Sequence, residues 1–186
     1  LNVVAAPGAD VDVTNIGVSN LAEGQNVVLS GLDARVSPVF IVRDCDGAVW
    51  AQNCELLDTT FVTPYHAAEA HTSRNVVLHH SLLKGGEDQI DFDGGHGLLL
   101  FGDSEVAAWS SEFDSGVGGQ WALSSDAGDG GHGVHVKAGG DFYGMGCTFL
   151  GAIGGNGPPN GVDGAGAFVA PNATARMADV VTVGAG

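Results

Sequence analysis

Two copies of one pentapeptide carry the side chains best suited to chemistry. They are Asp93-Gly94-Gly95-His96-Gly97 and Asp129-Gly130-Gly131-His132-Gly133. Each joins a carboxylate to an imidazole across two glycines. If the copies stack, His96 comes near His132 and Asp93 near Asp129. Stacked carboxylates and imidazoles could bind a divalent metal. The nearby acids Glu87, Asp88, Asp91 and Asp126 add oxygen donors of the kind calcium takes. Asp91 and Asp93, two residues apart, could also serve as an acid and base pair on a sugar, which makes them the catalytic candidates. A plainer structural reading outweighs both. Asp-Gly-Gly is a turn sequence, and a histidine before glycine can satisfy backbone groups at a corner of the chain. The third loop, Val162-Asp163-Gly164-Ala165-Gly166, lacks the histidine.

What would stack these loops is a longer repeat. Six segments align, starting at Val27, Val49, Val76, Val106, Phe142 and Ala175, with spacings of 22, 27, 30, 36 and 33 residues. Call the first residue of each position zero. Positions zero and two are small or apolar every time. Position five reads Leu32, Cys54, Ser81, Ser111, Cys147, Val180, and position seven reads Ala34, Leu56, Leu83, Phe113, Phe149, Thr182. Alternate residues of a strand face one way, so zero and two point inward from one short strand. After a corner, five and seven point inward from a second. A third strand is expected upstream, at Phe40–Val42, Leu98–Leu100, Val134–Val136 and Ala167–Val169.

A fixed core pattern with a drifting period predicts a solenoid with variable turns. The expected fold is all-β, a single right-handed parallel β-helix of about six coils with long Gly-rich loops, filling residues 1–186 as one domain. Coils would rise about 4.8 Å each. A β-sandwich also has many short strands, but it has no reason to repeat one four-position motif six times. The chain opens in mid-pattern on Leu1 without an initiating Met, and Val11, Val13, Ile16 and Val18 suggest a further coil. A processed protein, or a segment of a longer one, is expected.

Composition narrows the partners. Lys and Arg number 6 against 22 Asp and Glu, giving a formal charge of -16. Such a surface repels nucleic acid, and no apolar run predicts membrane insertion. It would attract cations, and Ca2+ is the expected one if any cofactor binds. Cys54 and Cys147 fall in one column three coils apart, too far for a disulfide. The 31 glycines cluster in the loops that lengthen the period.

Position one of each copy points outward yet is often apolar. It offers Val28, Trp50, Val77 and Tyr143, with Leu99 and Phe168 outward from the upstream strand. A parallel sheet apolar on both faces is normally covered. Loops, the N-terminal segment or another subunit would cover it, or it marks an interaction site.

The combined pattern, with Gly47-Ala48-Val49-Trp50-Ala51-Gln52-Asn53-Cys54 and Asp141-Phe142-Tyr143-Gly144-Met145-Gly146-Cys147-Thr148-Phe149, resembles right-handed parallel β-helix proteins of the pectate-lyase-like superfamily. It is most similar to their glycine-rich bacterial secreted or cell-surface members, from about Val27 onward. The resemblance implies an extracellular or cell-surface location. Enzymes of that superfamily act on polysaccharides. Gly95-His96-Gly97 and Gly131-His132-Gly133 match one polygalacturonase element, but no Asp-Asp or Arg-x-Lys accompanies them. The expected function is therefore a non-enzymatic structural or adhesive module. It would self-associate through its terminal coils or outward apolar column, or bind a surface partner. A carbohydrate-active or glycan-binding protein is the alternative.

Overall fold

The computed structural model describes residues 1–4, 12–35, 39–59, 65–87, 92–119, 127–156 and 160–184. The sequence-predicted candidates Asp88, Asp91 and Asp126, together with Val11 and Trp121, lie outside them. All regular structure among the described residues is strand, in twenty short pieces.

The first trio is β1 (Asn2–Val4), β2 (Asp12–Val13) and β3 (Ile16–Ser19). Then come β4 (Asn26–Ser30), β5 (Asp33–Ala34), β6 (Phe40–Arg43), and β7 (Ala48–Gln52), β8 (Glu55–Leu57), β9 (Ala68–His71). The middle of the chain gives β10 (Val76–His79), β11 (Leu82–Lys84), β12 (Leu98–Phe101), and β13 (Glu105–Trp109), β14 (Glu112–Asp114), β15 (Val134–Val136). The last are β16 (Asp141–Met145), β17 (Thr148–Leu150), β18 (Ala167–Val169), β19 (Thr174–Ala178) and β20 (Val181–Val183). Every third strand joins the same sheet. The first sheet runs β1-β4-β7-β10-β13-β16-β19 and the second β2-β5-β8-β11-β14-β17-β20, seven strands each. The third has six, from β3 to β18. Every pairing is parallel.

The register equals the sequence repeat. Val27 pairs with Val49, Val49 with Val76, Val76 with Val106, Val106 with Phe142 and Phe142 with Ala175. Positions zero, two, five and seven are buried in each of the first five copies. The repeat also continues upstream of Val27, because Asn2 pairs with Val28 and so places Leu1 and Val3 on the inward positions. One apolar cluster runs from Val18 to Phe149. Three of its four phenylalanines, Phe113, Phe142 and Phe149, lie with ring centroids 5.4–5.9 Å apart.

Position five shows why a small polar residue suits an inner corner. Ser81 Oγ accepts the Cys54 N–H at 3.2 Å, and Ser111 Oγ accepts the Ser81 N–H at 3.2 Å. Each hydroxyl donates back to its own chain, to the His79 and Trp109 carbonyls. A second corner repeats the device with Cys45, Ser73 and Ser104. Corner amides turned away from their neighbours are thereby satisfied in the interior. All three cysteines are free and buried.

Position four holds left-handed backbone in all six copies: Gly31, Asn53, His80, Ser110, Gly146 and Asp179, with φ between 47° and 68°. Glycine, asparagine and aspartate tolerate that region, whereas serine is strained there. Ser110 is exposed. Ser110→Gly is therefore expected to stabilise the protein by about 0.5–1 kcal/mol, the relief of strain less the entropy glycine loses. Urea denaturation of the two proteins measures it.

Candidate functional site

The site is built where the second sheet hands over to the third. After β11, β14 and β17 the chain runs outward, and it returns before β12, β15 and β18. The returning runs, 92–97, 127–133 and 160–166, bond to one another side by side. Gly94 N–H reaches Asp129 O at 2.8 Å and Gly97 N–H reaches His132 O at 3.1 Å; Gly130 and Gly133 reach Val162 and Ala165. The outgoing runs form a second layer, with Gly85 bonded to Asp114 O and Gly118 to Ile153 O.

The layers then bond to each other. Gly116 N–H donates to Gly95 O and Gly119 to Phe92 O; Gly131 donates to Gly116 O and Gly128 to Gly119 O. Ala152 and Gly155 bond to Gly131 and Gly128, and Gly164 and Gly161 to Ala152 and Gly155. Bonds recur every third residue, the repeat of the extended three-residue-per-turn polyproline II backbone. Run 127–133 is bonded to four neighbouring runs. A β-strand has lateral partners on only two sides, so this is a slab of extended chains rather than a sheet.

That packing explains the pentapeptide. At Gly94, an added Cβ would overlap the Gly116 carbonyl, and at Gly131 the Gly95 carbonyl. Only a residue without Cβ permits such approach. One position in three is left to carry a side chain, and in the returning layer those are Asp93 with His96 and Asp129 with His132.

Both kinds of side chain turn to the backbone of the next run. Asp93 Oδ1 accepts the Asp129 N–H at 2.8 Å, and Asp129 Oδ1 accepts the Val162 N–H at 2.7 Å. His66 Nδ1 accepts the His96 N–H at 3.0 Å. His96 Nδ1 accepts the His132 N–H at 2.9 Å, and His132 Nδ1 accepts the Ala165 N–H at 2.9 Å. The rings stack, with centroids 4.5 Å apart for His66 and His96 and 5.0 Å for His96 and His132. Phe168 continues the stack, 4.9 Å from His132. His135, from β15, meets His96 ring nitrogen to ring nitrogen at 2.9 Å and lies edge-on to His132 and Phe168.

The bonds fix the tautomers. Each Nδ1 that accepts an N–H has no proton, so His66, His96 and His132 hold theirs on Nε2. His96 Nε2–H then donates to His135 Nδ1. Burial disfavours the imidazolium and holds His66 down at about 4 and His96 at about 2. Burial, reinforced by His132 and Lys137, takes His135 to about 4, and burial also lowers His132.

The two pentapeptides are thus brought together as spacing implied, with each Nδ1 and one oxygen of each carboxylate holding a backbone amide. Among the described residues, no group of three or more His, Cys, Asp or Glu side chains is placed to hold a metal ion. Asp163 is out of register with the aspartate column. Val162 occupies that place, while Asp163 accepts the Gly154 N–H at 2.9 Å. His66 and His135 escape a motif search because neither sits in a pentapeptide; their place is visible only once the strand register is known.

Of the outward apolar residues, Trp50 and Phe168 are exposed (45% and 43%) and Val28 and Tyr143 half-buried. Val77 (9%) and Leu99 (2%) are buried and offer no surface. Leu99 lies in register between Glu69 and His135, beside the histidine stack, and so is enclosed by groups of its own sheet face. A cleft of about 210 Å³ lies on the first sheet's outer face, lined by Trp109, Tyr143, Met145 and Arg176. The Arg176 guanidinium stands 5.5 Å from the Tyr143 ring centroid.

No family model matches the chain, and no curated protein or solved structure is significantly similar to it. Among the described residues no helix is long and apolar enough to cross a membrane.

Proposed function

We propose that the chain is a single right-handed parallel β-helix of six full coils that acts as a non-enzymatic structural or adhesive module, extracellular or at a cell surface, by self-association. Strict rotation among three parallel sheets supports the helix. Right-handed connection between parallel strands is the rule for L-residues. The use of both pentapeptides in backbone bonding argues for scaffold over catalysis.

The observation that carries the reading is the state of the last coil. The columns fully buried in earlier coils are only half-buried at Ala175, Met177 and Val180, and Val169, Val181 and Val183 are exposed. Among the described residues the outermost strands are β19, β20 and β18 at one side and β1, β2 and β3 at the other. Parallel edges of matched order are templates for pairing, and a head-to-tail contact that does not close generates filaments. Trp50 and Met145 on the first sheet supply a lateral surface for a further partner.

Mass measured by light scattering is expected to rise with protein concentration. Raising salt should promote it, because each copy carries -16 and screening weakens their repulsion. Met177→Glu should weaken association about tenfold or more, by burying an unpaired charge in the contact. A monodisperse monomer at millimolar concentration in high salt contradicts the proposal.

A further inference from the structure

We infer that the histidine stack is an acid-released clasp: protonation of His66, His96 and His132 removes the acceptors that tie the returning glycine-rich runs together, so the slab loosens while the three-sheet core stays folded. The geometry sets this apart from ordinary buried histidines. Three consecutive Nδ1 atoms each hold a backbone amide of the following run, at 2.9–3.0 Å. An imidazolium has no acceptor nitrogen. Protonation therefore turns each N–H···Nδ1 bond into two donors facing each other. It also places like charges on rings stacked 4.5–5.0 Å apart.

The runs that would part have little else at stake. Their glycines bury no side chains and hold together by backbone hydrogen bonds, whereas the sheets also enclose the apolar cluster from Val18 to Phe149. Local opening draws on the least buried apolar contact, so it takes the slab first.

Burial sets the direction at every ring, and the charged neighbours adjust it. Glu69 and Asp58 face His66 and favour its protonation, while Lys137 and His71 oppose it. Around His96 stand His66, His135, His132 and Lys137, all opposing. Asp129 favours protonation of His132, whereas the Ala165 N–H that its Nδ1 accepts opposes it, and His132, Lys137 and His66 oppose that of His135. Burial outweighs these neighbours at every ring. A histidine whose folded value lies below its free value stabilises the fold fully above about 6.5 and loses that contribution as pH falls toward the folded value. The clasp is therefore closed at neutral pH and yields as pH falls below about 6.5, with the His66 contribution lost by about 4 and that of His96 still falling toward about 2.

Amide hydrogen exchange, corrected for intrinsic pH dependence, tests it. The reporters are the amides of His96, His132 and Ala165, set against those of Leu78, Leu100 and Val106 in the sheets. The comparison protein is His66→Asn/His96→Asn/His132→Asn, because asparagine Oδ1 sits where Nδ1 does and accepts the same bond without titrating. In the native protein, protection of the three reporters should fall at least tenfold from pH 7 to pH 4 while the sheet amides keep theirs. The asparagine protein should keep all of it over the same range. Unchanged reporter protection at pH 4 overturns the inference. So does an equal fall in the asparagine protein, which would assign the opening to Asp93 and Asp129. If the triple variant does not fold, single His132→Asn serves, with Ala165 alone expected to become acid-insensitive.

Discussion

Gly131→Val is expected to destabilise the protein by about 3 kcal/mol or more. The added Cβ overlaps the Gly95 carbonyl and crowds the Gly94 oxygen, which are backbone atoms without a rotamer to retreat into. The Gly131 N–H is itself bonded to Gly116 O, so the run cannot back away without breaking that bond and those beside it. Since about 1 kcal/mol moves the melting point of a chain this size by roughly 2–4 °C, a fall on the order of 10 °C follows. Gly17→Ala is the matched control. Nothing lies within 4 Å of its Cβ position, and a change within about 0.5 kcal/mol is expected. If both variants melt with the native protein, the runs are not at bonding distance and the slab is wrong.

Phe113→Ala is expected to cost about 3–5 kcal/mol, the usual range for emptying a fully enclosed phenylalanine site. Phe113 is wholly buried and faces Phe149 at 5.4 Å and Phe142 at 5.9 Å. Its neighbours belong to adjacent coils, so the cavity is shared between coils and cannot be closed by one of them moving alone. Against a total stability of typically 5–15 kcal/mol, such a loss brings the fold near its limit. The double variant Phe113→Ala/Phe149→Ala should cost less than the sum, because the two rings are each other's packing surface. Guanidinium unfolding of the three variants measures both.

The sheets were legible in the sequence because side-chain alternation is a strong signal when four positions repeat together. Val27, Val49, Val76, Val106, Phe142 and Ala175 stand in one column as the spacing required. The slab was not legible. Glycine has no side chain with which to show a pattern, and its period of three emerges only from the hydrogen bonds. The first coil was half visible, since Leu1 and Val3 make too short a run to align. The pentapeptides were seen, and their stacking was implied, but their chemistry depends on where Nδ1 and Oδ1 point. His66 completes the stack from a different sequence context, so no motif could include it. Leu99 misled for a related reason: alternation gives the face of a strand, not what covers that face.

Long-range nitrogen–proton correlation spectra of the imidazoles at pH 7 test the central claim, that the histidines serve the backbone rather than a metal or a reaction. His66, His96 and His132 should each show a proton on Nε2, an unprotonated Nδ1, and a coupling from that Nδ1 to the amide proton of His96, His132 and Ala165 respectively. The same spectrum after addition of calcium or zinc should be unchanged. Nδ1–H tautomers, charged rings, or nitrogen shifts that move with added metal would contradict the account.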